Sequence, residues 1–161
     1  MAHSALEILD ASIDARVTEI RGERPGWPCG RGCDACCRNL HEPMNLTRPE
    51  WDRVERGLSR LPPEVRDVVE HRVQEAGRIC PFLNRERGEC LIYASRPIAC
   101  RTYGFYLQRG AGLWCGDVEA FVTGEGTEGV VLGNQAVVER ELGGQRIPMG
   151  EWARERRRSS R

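Results

Sequence analysis

The sequence predicts an α+β fold: a small domain with N-terminal helices and cysteine-rich short hairpins behind them. Three observations predict it. Apolar residues recur at helical spacing behind two capping boxes in the first half of the chain, and short apolar runs flank glycine-bearing turns in the second. Eight cysteines lie between residues 29 and 115, four of them inside the stretch CGRGCDACC at 29–37. A length of 161 residues suits one ordinary domain. The expectation is a single domain over 1–150, with 151–161 as a charged tail.

Taken in order, Ser4 and Glu7 form a capping box, and Leu6, Leu9, Ile13, Val17 and Ile20 follow every three or four residues, predicting an amphipathic helix over 4–21. The segment RGERPGWPCG then carries Gly22, Pro25, Gly26, Pro28 and Gly30, which predict a loop into the first cysteine cluster, with a helix beginning near Asp34. A second box, Thr47 with Glu50, has Pro49 in the first turn and starts a helix bearing Trp51, Val54 and Leu58, which the LPP at 61–63 stops. Val65, Val68, Val69, Val73 and Ala76 predict a third helix over 63–76. In CPFLNRERGECLIY the pair Arg87-Gly88 predicts a hairpin whose arms hold Cys80 and Cys90. Pro97 leads one helical turn over 97–101, and GFYLQRGAGLWCG predicts a tight hairpin ending at Cys115. TGEGTEG reads as a flexible loop, NQAVVEREL as a short helix closed by Gly143-Gly144, and RERRRSSR as a solvated end.

Charge narrows the range of partners. Lys+Arg and Asp+Glu balance at 24 each, so no net field draws the chain to nucleic acid or to an anionic membrane. Every basic residue is arginine, which removes lysine-based chemistry. No run approaches the ~20 apolar residues that span a bilayer. Glu7, Asp10 and Asp14 interrupt the N-terminal apolar residues, unlike a signal peptide, so a cytoplasmic location is expected. In that reducing setting, cysteines point to metal binding or catalysis before disulfides.

The cysteines stand at 29, 33, 36, 37, 80, 90, 100 and 115. In a helix the first four would share one face, although Gly30 and Gly32 favour a loop whose N–H groups approach the sulfurs. A lone cysteine reads first as a small buried hydrophobe; four in nine positions do not. Adjacent side chains diverge, so Cys36 and Cys37 either serve different sites or divide the roles of ligand and packing or reactive thiol. Cys80, Cys90, Cys100 and Cys115 lie in segments with little apolar material, of the kind a metal holds together, and the expected fold is therefore a metal-organised one. Two closed Zn2+ sites would use all eight thiolates, whereas an iron–sulfur cluster would use four. Cys80-Pro81 resembles the cysteine-proline pair that ends ferredoxin motifs, but proline after a ligand also suits a zinc knuckle and charge does not separate the two; between them iron–sulfur is preferred over zinc.

The stretches CGRGCDACC, CPFL at 80–83, GECLIYASRPIACRTYGF at 88–105, and Cys115 together resemble the YkgJ-type cysteine-cluster family, the zinc- or iron-chelating domain named for its CxxCxxCC motif. The first spacing here is three residues, Cys29 to Cys33, instead of two. The resemblance implies that the eight cysteines form a metal or iron–sulfur site used for metal or electron handling. A related cluster occurs in flagellin lysine-N-methylases, so a cluster-dependent modifying enzyme is one alternative, although no cofactor motif is visible. A structural zinc module for protein or nucleic-acid binding is another, although one short basic run is not a nucleic-acid footprint. Arg96 and Arg101 flank Cys100 and are candidates to offset thiolate charge or hold a bound anion. Tyr93, Tyr103 and Tyr106 read as core aromatics and His41 as a turn residue, and neither His3 nor His71 is given a role.

Overall fold

The computed structural model describes residues 4–75, 77–125 and 127–159. In chain order the elements are α1 (Ala5–Glu23), α2 (Ala35–Arg38), β1 (Asn45–Leu46), α3 (Arg48–Leu58), α4 (Pro63–Glu75), β2 (Leu83–Asn84), β3 (Glu89–Cys90), a 3-10 turn (Tyr93–Ser95), α5 (Ile98–Thr102), β4 (Tyr106–Gln108), β5 (Ala111–Gly112), α6 (Gly116–Glu125), β6 (Gly133–Asn134), α7 (Gln135–Leu142), β7 (Ile147–Pro148) and α8 (Met149–Ser159). The fold is α+β, as the sequence predicts. Two compact units divide the chain, one from residues 1–33 and 98–143, the other from 34–97 and 144–161.

In the first unit the Ser4 hydroxyl accepts from the amide of Glu7, while the Glu7 carboxylate accepts from the amide of Ser4, starting α1. Leu6, Leu9, Ile13 and Ile20 then form its buried stripe. That stripe packs with Trp27, Ile98, Phe105, Tyr106, Val118 and Val138 into one apolar core. β4 is the centre of a three-stranded sheet ordered β5-β4-β6, antiparallel to β5 and parallel to β6. The β4–β5 turn puts Arg109 at φ 53° and Gly110 at φ 82°, both left-handed, which matches the right-handed twist of the two arms.

The second unit has its own core: Leu46, Trp51, Val54, Leu58, Val69, Val73, Cys80, Phe82, Leu83, Ile92 and Met149. Thr47 and Glu50 cap α3 from buried positions, and Pro49 fills the first turn, where no N–H is required. β1 pairs antiparallel with β7, so residues just before α3 and just before α8 are stitched together. β2 pairs antiparallel with β3, setting Leu83 opposite Cys90.

The structure departs from the sequence reading in several places. Val68 is exposed on α4 and only Val69 and Val73 are buried there; Ala76 lies outside the described residues. Cys90 stands on a hairpin arm, but Cys80 precedes β2, its carbonyl accepting from the Leu83 amide at 3.2 Å. TGEGTEG begins inside α6 instead of being loop throughout, because the Cys115 carbonyl accepts from the Glu119 amide at 3.0 Å and opens the helix. The stretch read as a tail is helical up to Ser159. There the Trp152 indole N–H donates to the Leu46 carbonyl at 2.9 Å, and Arg156 pairs with Glu55 and Glu70, so packing holds what charge density alone would leave in solvent.

Candidate metal centre

In the second unit, α2 is too short to hold itself and is fastened from outside. The Arg38 Nε donates to Asp34 Oδ2 at 2.6 Å, and its Nη2 reaches the Arg85 carbonyl at 3.1 Å. Two backbone hydrogen bonds then lay the end of α2 along the approach to β2: the Leu40 amide to the Arg78 carbonyl and the Cys80 amide to the Cys37 carbonyl, both 2.7 Å. With Leu83 in register against Cys90, three chain segments deliver Cys36, Cys37, Cys80 and Cys90 to one place. The Cys36 and Cys37 sulfurs are 4.0 Å apart, and Cys80 and Cys90 both act on the Cys37 thiol. Cys80 is buried and the other three are half-buried.

These thiols resist ionising one at a time. Cys36 is raised far above the ordinary thiol range, first by its hydrogen bond with Cys37, then by burial and the neighbouring Cys37 charge. For Cys37 the hydrogen bond from Cys36 favours the thiolate, but the Cys80 hydrogen bond, burial and the fields of Cys80 and Cys90 outweigh it, and its pKa is pushed up to about 12. Burial raises Cys90 as well, against the opposing pull of the Ile92 backbone and of Arg96. Several thiolates can therefore coexist here only if a cation neutralises them. Among the described residues, no three Cys, His, Asp or Glu side chains stand as ligands around a single point; the Cys36 and Cys37 sulfurs instead hydrogen-bond each other, as protonated thiols do. The donor set fits a thiophilic ion.

The first unit holds Cys29, Cys33, Cys100 and Cys115. The boundary thus falls inside CGRGCDACC, between Cys33 and Asp34. Cys29 donates to the Tyr103 carbonyl at 3.6 Å and lies against Gly104, where an added Cβ would come within 2.5 Å of its sulfur. Gly104 also has φ +92°, so glycine is required twice over. Cys29 and Cys115 pack against the same core, while Cys33 is exposed. Cys100 is carried by α5.

The two arginines flanking Cys100 part company. Arg96 belongs to the second unit; its guanidinium stacks 3.7 Å over the Tyr93 ring, its Nε donates to the Tyr93 carbonyl at 3.1 Å, and its charge acts on Cys90. Arg101 belongs to the first unit, where it pairs with Asp10 at 3.4 Å and Asp14 at 3.2 Å on α1. His41 is exposed. Of the three tyrosines read as core, Tyr106 is buried and Tyr93 and Tyr103 are half-buried. The reading of the sequence passes over Tyr93 as the platform for Arg96, and over the Asp34–Arg38 pair, whose only signal is an i,i+4 spacing.

Neither a curated protein nor a solved structure matches the chain. The model of the CxxCxxCC family, described as a "putative zinc- or iron-chelating domain", matches residues 28–123, a span that takes in all eight cysteines. That span is more than half of the sequence and includes the four thiols gathered in the second unit, and the chain belongs to the CxxCxxCC family.

Proposed function

We propose that this protein binds a thiophilic metal ion through Cys36, Cys37, Cys80 and Cys90, and that its role is metal or electron handling. The observation that carries the reading is the meeting of these four thiols in one unit, two of them 4.0 Å apart. Two thiolates on one tetrahedral zinc, with Zn–S near 2.3 Å, lie ~3.8 Å apart. Cys36 and Cys37 therefore suit a shared ion, and small turns of the side chains would close the site.

The same spacing argues against a [4Fe–4S] core, in which each iron takes a separate cysteine, and favours a site where two cysteines share one ion. A closed four-sulfur site leaves no open position for hydrolytic chemistry. An ion held there orders the cysteine-bearing loops. The remaining four cysteines, Cys29, Cys33, Cys100 and Cys115, are the ligand set of a second site by the same division.

The test is metal and acid-labile sulfide analysis of the full chain purified without oxygen. The expected result is zinc, or iron without sulfide, bound in proportion to the chain. Acid-labile sulfide in proportion to iron would overturn the one-ion site, and protein that takes up no metal when supplied with zinc and iron would overturn the reading altogether.

A further inference from the structure

The second unit contains a cavity of about 100 Å³ that the thiol cluster does not use. Its walls are apolar, with Leu40, Met44, Val73 and Met149 among them, and Arg72 and Arg154 are the charged residues lining it. No carboxylate is among the described lining residues. Arg154 makes no hydrogen bond or ion pair among the described residues, and Arg72 spends one N–H on the Leu83 carbonyl at 3.3 Å. An apolar hollow bordered by two arginines, one with its Nη1 beside Gly150 of the wall, and by no carboxylate among the described residues is complementary to one kind of small molecule, an anion with an apolar body.

Size narrows the class. A dry cavity of ~150 Å³ accommodates benzene, with its six heavy atoms, so this one takes about four to six. Guanidinium is planar and presents paired donors that match a carboxylate. We propose that the cavity binds a short-chain aliphatic monocarboxylate, its alkyl part against Met44, Val73 and Met149 and its carboxylate held by Arg154 and Arg72. Pro81 forms part of the wall and directly follows Cys80, so the ligand would sit beside the thiol cluster. The proposal goes beyond the metal reading and stands without it.

The experiment is titration of the full-length, metal-replete protein with butyrate, butyramide and inorganic phosphate, followed by calorimetry and thermal shift. Butyrate is expected to bind and raise the melting temperature. Butyramide, with the same shape and no charge, and phosphate, with charge and no apolar part, are each expected to bind at least about tenfold more weakly. Arg154→Gln should weaken butyrate by about tenfold or more. Because Arg72 also supports the hairpin, a Gly77→Leu variant supplies the independent check: a Cβ there meets only the Ile79 amide nitrogen, at 4.0 Å, so the new side chain can fill the cavity without disturbing the fold. It should abolish butyrate binding while the unliganded melting temperature is retained. Equal binding of butyrate and butyramide, equal binding of butyrate and phosphate, or undiminished butyrate binding in both variants would overturn the proposal.

Discussion

The amide of Cys80 donates to the carbonyl of Cys37 at 2.7 Å, and the Cys80 side chain helps to raise the Cys37 thiol. Backbone pairing therefore fixes the approach of two sulfurs that are distant in sequence before any metal is involved. Cys37→Ser, Cys80→Ser and Cys90→Ser should each lose the metal of the second unit, since a hydroxyl is a poor replacement for a thiolate ligand. Cys29→Ser should keep it. Metal content per chain checks this, and a Cys29→Ser variant that loses as much metal as Cys80→Ser would count against a four-and-four division.

Stability of metal-free protein should fall at alkaline pH. The folded state raises Cys37 from 9.0 to about 12 and raises Cys36 and Cys90 as well, so it holds these protons more tightly than the unfolded chain does. That contribution is complete below about pH 9 and is lost as pH rises toward 12. Metal-loaded protein should behave in the opposite sense, losing its ion and its added stability in acid as the thiolates are protonated. Denaturant melts across pH with and without chelator distinguish the two, and an apo protein equally stable at pH 8 and pH 11 would contradict the first.

Gly104→Ala should destabilise the first unit by about 1–3 kcal/mol, because it forces a side chain into a left-handed backbone and against the Cys29 sulfur. The effect has two parts that a double mutant separates. In a Cys29→Gly background, which removes both the sulfur and the Cβ that lies 2.8 Å from the added one, the steric part disappears and only the backbone part persists, so the cost of Gly104→Ala should be smaller there. Chemical denaturation of the four proteins measures it.

Arg96 and Arg101 should give different phenotypes. Arg101→Gln breaks the pairs with Asp10 and Asp14 and is expected to cost about 1–3 kcal/mol of stability, most of it from the better-buried Asp10 pair, with the metal content of the second unit unchanged. Arg96→Gln removes the cation acting on Cys90 and should weaken metal retention several-fold with little loss of stability. Competition with a chelator, read beside thermal melts, tests both. The same metal loss in the two variants would place both arginines in one electrostatic role.

Local chemistry made much of this protein legible from its sequence alone. Capping boxes at Ser4 and Thr47 and the apolar spacing behind them predict α1 and α3, because one strong signal at each terminus leaves the chain few alternatives. The tight hairpin within GFYLQRGAGLWCG and the helix closed by Gly143-Gly144 were legible for the same reason, although the second arm ends at Gly112, short of Cys115. Eight cysteines in this pattern also identify the family and the chemistry of the donor atoms. Only tertiary structure decided the rest. α6 carries two glycines and α8 a run of arginines, weak helical segments that hold because Phe121 meets Trp27 edge-on and Trp152 reaches the Leu46 carbonyl. Sequence proximity also misleads about the thiols: Cys33 and Cys36 are near neighbours that fall in separate units, while Cys37 and Cys80 are far apart and touch. Spacing along the chain identifies which atoms can bind a metal, but the long-range hydrogen bonds and the strand register determine which of them meet.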